Sequence, residues 1–334
     1  MANISSQLAD IAILRSLLLQ KVSNGLSSQV SGAYQNIIDS IAQDIRGANK
    51  ITLRNMSKTI AELKERFEVD ISFLKPELED LAVTESAFAL NSVNATANFD
   101  IFSKVPPEST IRNIVAVSLM SDGRRARKID EWFSGIDAKM LSDIEAVVQN
   151  GVIGGQTNHQ ISQTLANIMG TSRHHAETIA ITATSHVSSE ARMAVYEAND
   201  DVLKGYTRLE TFDDKICEIC LNADGNFYKI NEKKPPAQLH FRCRGMYKPE
   251  LKSWRDMGID MDEISEGTRS SLDGYVSGKV DAIEWIEGKG AKFQKDYLGK
   301  GRYDLYKSGK IKFNDLVTNR GRILTVKELR EKYS

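Results

Sequence analysis

Three cysteines are the whole thiol complement of this 334-residue chain, and all of them sit in one short window. Cys217-x-x-Cys220 is followed, after a 19-residue insert, by His240-x-x-Cys243. Three thiolates and one imidazole make a full tetrahedral ligand set for Zn²⁺. An odd number of cysteines cannot be used up in internal disulfides, and their clustering favours a metal over a disulfide framework. Two ligands at i and i+3 around a tight turn aim at one centre, and a second short-spaced pair delivered by a hairpin completes it. Four protein ligands leave no open position for a catalytic water, so the expected zinc is structural. It would clamp a small β subdomain with little core of its own. The alternative keeps Cys217, Cys220 and Cys243 as reduced, partly buried thiols, with His240 satisfied by backbone groups.

The rest of the chain reads as mostly helical. Six prolines, 7% aromatics and 41% hydrophobic residues suit a helix-rich packed protein of about two domains. The longest apolar run, Ile114 to Met120, is already interrupted by Ser118, so no segment approaches the ~18 residues of a membrane span. The first residues lack the basic region of a secretory signal, which points to synthesis in a cytosol.

Apolar residues recur at helical spacing from Leu8 through Leu14, Leu18, Val22, Leu26, Val30, Tyr34 and Ile41 to Ile45. This predicts one long helix, or two broken near Gly25 or Gly32. Met56, Ile60, Leu63 and Phe67 predict a second, and Pro76 stops or restarts a third containing Leu78, Leu81 and Phe88. The small, polar stretch 91–100 reads as a loop. Ser109 is placed to cap a helix through Met120, and Arg124 to Lys128 open the next, with its stripe from Trp132 to Val148. Gly151 to Gly155 read as a connector. Thr157-x-x-Gln160 is a capping box for a helix ending at Gly170, and Ser172 caps another reaching Asn199.

At Gly205 the period changes toward two, with Tyr206, Arg208, Glu210 and Phe212 on one face. Asp224-Gly225 reads as a hairpin turn into a return strand at Phe227–Ile230. Arg244 to Lys248 read as a third strand ended by Pro249. The fold class expected is therefore α+β and predominantly α-helical. Residues 1–150 form a helical N-terminal region. Residues 151–334 form a helical domain that carries a small zinc-type β-hairpin, with its Cys/His site at 217–243 and a closing segment at 286–334.

That closing segment holds thirteen Lys and Arg against six Asp and Glu, a local +7 in a chain of net −1. The imbalance suits an acidic protein or nucleic-acid partner as well as a solvated surface. Lys289, Lys292, Lys295, Lys300, Arg302, Lys310, Lys312, Arg320 and Arg322 are its candidate DNA contacts. Other chemistry is thin. His174 and His175 read as helix-start residues, His186 as a packed histidine and His159 as exposed. Asp213-Asp214 fits a turn, as does Leu298 to Arg302. The sequence has no Gly-rich phosphate loop, nucleophile elbow or His-Glu-x-x-His. No catalytic residue is assigned and an enzyme is not expected.

From Gly155 to Met246 the chain resembles the C-terminal domain of Mu-type minor head proteins of tailed phages, the MuF or phage head morphogenesis family. Gln156-Thr157 with Ile161 and Leu165 is similar to the family's first helix, and Ala176 to Thr184 to its second. Asp214-Lys-Ile-Cys217-Glu-Ile-Cys220, Asp224-Gly225, Pro235-Pro236 and His240-Phe-Arg242-Cys243-Arg244 follow in order. Trp285, Phe293-Gln294, Leu298-Gly299, Arg302, Leu305 and Gly309-Lys-Ile311 resemble the segment that often closes the domain. Two positions depart. Ile181-Thr182-Ala183 stands where an Arg commonly precedes Thr-Glu, and Gly245 stands where a further Cys is usual.

The resemblance implies a minor structural protein of the bacteriophage virion, present in multiple copies and made in the host cytoplasm. It would act in head morphogenesis with portal and other head proteins, in the head interior or at the portal vertex, with packaged DNA as a further contact. The competing expectation is a zinc-containing DNA-binding protein acting in packaging or ejection.

Overall fold

The computed structural model describes residues 4–258, 260, 268–318 and 321–333. Among the described residues helices dominate, with three small antiparallel sheets, as the α+β expectation requires. The elements in order are α1 (Ile4–Gly47), α2 (Met56–Glu65), α3 (Leu74–Ala97), α4 (Glu108–Val117), β1 (Met120–Ser121), β2 (Ala126–Arg127), α5 (Ile129–Ile153) and α6 (Asn158–Ala198). They continue with β3 (Leu203–Leu209), α7 (Glu218–Ala223), β4 (Phe227–Lys229), β5 (Met246–Leu251), β6 (Thr268–Ser271), β7 (Gly274–Ser277), α8 (Ala282–Glu287), α9 (Ala291–Lys307) and α10 (Val326–Tyr333). Among the described residues no helix is long and apolar enough to cross a membrane.

The chain divides into two compact units. One comprises Met1–Leu18, Thr84–Pro107 and Ala191–Ser334; the other comprises Leu19–Val83 and Glu108–Glu190. The sequence boundary at residue 150 falls inside α5.

The second unit is built from helices and one short hairpin. Its stretch of α1 buries Leu26, Val30, Tyr34, Ile37, Ile38, Ile41 and Ile45, the stripe that the periodicity predicts. The stripe does not extend as expected toward the N-terminus. Leu14, Leu18 and Val22 are exposed, and Ala9, Ala12, Ile13, Ser16 and Ser23 are buried instead. Leu8, the first residue of the stripe, is buried as expected, but Ile13 and several small side chains take the inward positions between it and Leu26.

Helix α4 ends at Val117, not Met120, because the chain turns into the β1–β2 hairpin, pairing Met120 with Arg127. The basic run therefore forms a strand and turn, and α5 starts only at Ile129. Arg125 and Arg127 lie over the Trp132 ring, at 5.5 and 5.3 Å from its centroid, and the Trp132 Nε1–H donates to the Met120 carbonyl (3.0 Å). His186 is buried, as expected, with Nε2 at 2.9 Å from the Ser118 hydroxyl.

Two breaks read from the sequence are absent. Helix α6 runs through Gly170 and Ser172 to Ala198. A single helical glycine costs only about 1 kcal/mol. The buried series Ile161, Leu165, Met169, Ser172, Ala176, Ala180, Ala183, Val187 and Ala191 continues across it without a phase change. His174 therefore lies mid-helix, paired with Glu177 (3.2 Å). Helix α3 likewise continues to Ala97, where a loop was expected. Val93 and Ala97 are buried, and the Asn94 side chain binds both the N–H and the carbonyl of Phe102, each at 2.8 Å. The capping box at the head of α6 is present, with Thr157 N–H to Gln160 Oε1 at 2.9 Å and Gln160 N–H to Thr157 Oγ1 at 3.3 Å.

The first unit holds the three-stranded sheet, in order β4-β3-β5. Strand β3 pairs along β5 from Leu209–Met246 to Leu203–Leu251, with an irregularity between Leu203 and Gly205. Pro249 does not end β5 but sits within it opposite Tyr206, which an edge strand tolerates. Beyond the sheet a second hairpin, β6–β7, turns at Leu272–Asp273 with Gly274 at φ 102°. Helices α8 to α10 then close over the region between β3 and β5. Trp285, Ile286, Leu298, Leu305, Phe313, Leu316, Leu324 and Leu329 share one core with Phe212, Cys220, Leu221 and Cys243. Gly299 interrupts α9 at φ 70°, where the sequence indicates a turn.

Gly151 tests the packing in the second unit. A β-carbon there would lie 2.5 Å from Ile161 Cγ1. Gly151→Ala should therefore overpack the α5–α6 contact and lower stability by about 1–3 kcal/mol in urea denaturation.

Candidate metal centre

Cys217 and Cys220 are presented by a helix, not by a bare turn. Cys217 is the N-cap of α7, and its sulfur accepts the Cys220 N–H at 3.4 Å. Cys220 follows one turn later, buried in the core. The connection from β3 to β4 thus contains a short helix, so Asp224-Gly225 is the exit from α7 and not the tip of a two-strand hairpin. Gly225 takes φ 77° there.

His240 and Cys243 come from the loop that enters β5. The Cys243 N–H donates to the His240 carbonyl at 3.1 Å, and Arg242 between them sits in the left-handed region at φ 61°. That conformation is unusual for a residue with a side chain and marks a turn held by its surroundings. Arg244 supplies one such hold. Its guanidinium grips Asp213 through two bonds of 2.6 and 2.7 Å, tying the His240/Cys243 loop to the turn just before Cys217.

These elements bring the donors together. Cys217 Sγ lies 3.0 Å from His240 Nε2, Cys220 Sγ lies 3.5 Å from the same nitrogen, and Cys220 Sγ lies 3.4 Å from Cys243 Sγ. Two close groups result: Cys217, Cys220 and His240, and Glu210, Cys220 and Cys243. Cys220 belongs to both, while Cys243 joins the first group only through Cys220. His240 Nδ1 lies 2.7 Å from the Phe241 carbonyl, which places a proton on Nδ1 and turns Nε2 toward the sulfurs. The site can hold a metal ion, with donors that are soft, few and already convergent.

The ionisation of the cluster agrees with that role. Contact with the Cys220 thiol, then with His240, brings the Cys217 thiol down to about 4 despite burial. Contact with Cys220, then against burial the charges of Arg208 and His240, holds Cys243 well below the usual thiol range. Cys220 moves up, because it is the thiol shared by both neighbours and is buried. The Cys217 contact lifts His240 to about 9. Without a cation, the four groups share protons among themselves.

A buried charged layer lies beneath. Arg208 is fully buried, with Nε at 2.9 Å from Glu210 Oε1. Burial, only partly offset by Arg208, raises the Glu210 carboxyl to about 8. Asp224 accepts from Arg269 at 2.5 and 2.9 Å, from the Glu210 N–H at 2.8 Å and from the Ala282 N–H at 3.1 Å. It thereby joins β3, β6 and the start of α8. Arg208, Glu210, Asp224, Arg244 and Arg269 were not among the site residues expected from the sequence. The signal available was the placement of Arg208 and Glu210 on the same strand face as Tyr206 and Phe212.

The candidate DNA contacts divide. Lys289 is ion-paired with Asp273 and lies over the Trp285 ring at 4.1 Å. Arg302 folds back onto Glu218 in α7 (2.5 Å) and the Leu324 carbonyl (2.9 Å). Lys300 pairs with Asp304 and Arg322 with Glu328. Lys292, Lys295, Lys310 and Lys312 are exposed. Arg320 lies outside the described residues.

The Arg244–Asp213 clasp is the most direct link between the two halves of the cluster. Arg244→Met should cost about 1–3 kcal/mol of stability, measured by urea denaturation, since it leaves a partly buried carboxylate without its partner.

A search of curated proteins and a search of solved structures gave no match. Residues 142–247 match the family model described as Phage Mu protein F like protein. The matched stretch takes in the end of α5, all of α6, β3, α7, β4 and all four Cys/His residues, so over this segment the chain is similar to that family.

Proposed function

We propose that this protein is a minor structural component of a tailed-phage head, acting without catalysis in head morphogenesis at or near the portal vertex. The observation that carries the reading is the family match over residues 142–247. The resemblance of the closing segment up to Ile311 supports the same reading. Its partners are then portal and other head proteins, and its place is the virion.

The Cys/His cluster serves this role as a structural zinc centre. Tetrahedral bonds of about 2.3 Å to sulfur and 2.0–2.1 Å to nitrogen set edges of about 3.8 Å between sulfurs and about 3.6 Å between sulfur and nitrogen. Three of the six edges, at 3.4, 3.0 and 3.5 Å, fall near and slightly inside those values, while Cys243 meets the first group only through Cys220, so an ion would draw its sulfur closer to Cys217 and His240. Cys217, Cys220, His240 and Cys243 would hold the ion, which supplies a cross-link between α7 and the loop entering β5. Nothing in this arrangement calls for a metal-bound water.

A second reading, direct DNA contact by the closing segment, is favoured by the exposed Lys292, Lys295, Lys310 and Lys312. Changing all four to Gln should then flatten the log–log salt dependence of DNA binding by about 3–4. An unchanged slope would count against it.

Two experiments test the main reading. A phage lacking the gene should yield defective heads, and mass spectrometry of purified wild-type heads should find the protein. Normal, infectious particles without it would contradict the proposal. Elemental analysis of protein purified without chelator should give about one zinc per chain, and Cys220→Ser should abolish it.

A further inference from the structure

We infer that Arg208 is the positioning residue of the metal centre, and that Gly245 is glycine to make room for it. The inference rests on the reading of the Cys/His cluster as a zinc site. Arg208 lies on β3, outside the ligand-bearing segments, yet its guanidinium reaches the second half of the site from three directions. Nη1 donates to the Pro236 carbonyl (3.2 Å) and Nη2 to the Ala237 carbonyl (2.8 Å), in the stretch leading to His240. Nη2 also lies 3.7 Å from Cys243 Sγ. Glu210 holds the fork from the other side, 2.7 Å from Nη2. Arg208 is 0% exposed and Cys243 1%, so these contacts lie out of bulk solvent.

The chemistry needs such a group. Three thiolates around a divalent cation leave a net negative charge, here in a buried core, and a charge buried without a partner is costly. A guanidinium beside the fourth sulfur offsets that charge and fixes the sulfur's direction with one planar fork. Gly245 carries an independent mark of the same device. A β-carbon at this position would lie 2.1 Å from Arg208 Nη2 and 2.5 Å from Glu210 Oε1. Any side chain at 245 therefore displaces the guanidinium.

The test uses the full chain as wild type, Arg208→Lys, Gly245→Ala and the double variant. Zinc affinity is read by competition with a chromogenic chelator, and cobalt-substituted protein is read by its thiolate charge-transfer and ligand-field bands. Each single variant should weaken zinc by about ten- to hundredfold and alter the cobalt spectrum. The double variant should be no worse than the weaker single, because both changes act on one guanidinium. Gly245→Ala retains both the Arg208 and Glu210 side chains and only shifts them, so it reports on positioning even if Arg208→Lys does not fold. Wild-type affinity and spectrum in both single variants, or in Gly245→Ala alone if Arg208→Lys is unfolded, would overturn the inference. A wild-type chain that takes up neither zinc nor cobalt removes the metal centre itself, a separate and recognisable failure.

Discussion

Acidic thiols and an imidazole crowded together in a buried core set the terms for this region. Cys220 Sγ has another sulfur at 3.4 Å and a ring nitrogen at 3.5 Å. Contact with Cys220, together with His240 and, for Cys243, Arg208, pulls the Cys217 and Cys243 thiols down while Cys220 is pushed up. A bound metal ion would turn the same crowding into bonds that cross-link the chain. The local elements are short, and apart from the Arg244–Asp213 clasp few contacts tie the two ligand pairs together. Helix α7 has six residues, β4 has three, and the loop between β4 and β5 is irregular.

The surrounding structure is arranged around that cluster in two layers. Above it, α8 to α10 bring Trp285, Leu298, Phe313 and Leu329 into the core that contains Cys220 and Cys243. Arg302 joins the same packing through Glu218, one residue after Cys217. The basic closing segment is therefore in part a lid over the cluster, and its charge is partly consumed in holding it shut. Below the cluster, Arg208, Glu210, Asp224 and Arg269 form a buried relay from β3 to β6 and α8. Buried charges of this kind are tolerated when each is paired and hydrogen-bonded, and they add specificity more surely than stability.

Most of the architecture was legible because its signals are periodic. The stripes of α5 and the later part of α1, the capping box of α6 and the change of period at β3 are repeated patterns. Several misreadings came from giving local polar, proline or glycine signals the weight of a boundary. Gly170 stayed helical because the apolar phase continued past it. Residues 91–97 stayed helical because Asn94 found its partners eight residues away at Phe102. The ligand residues were legible from type and spacing, but their support was not. Arg208 acts on a segment nearly thirty residues later, and Asp224 looked like a turn residue until its four donors were assembled in space.

X-ray absorption at the zinc edge of the purified chain tests the central claim most directly, because it counts the donors themselves. The account predicts one ion bound by three sulfurs at about 2.3 Å and one nitrogen at about 2.0–2.1 Å, with no oxygen in the first shell. A shell of fewer sulfurs completed by oxygen, or no bound zinc at all, would contradict it.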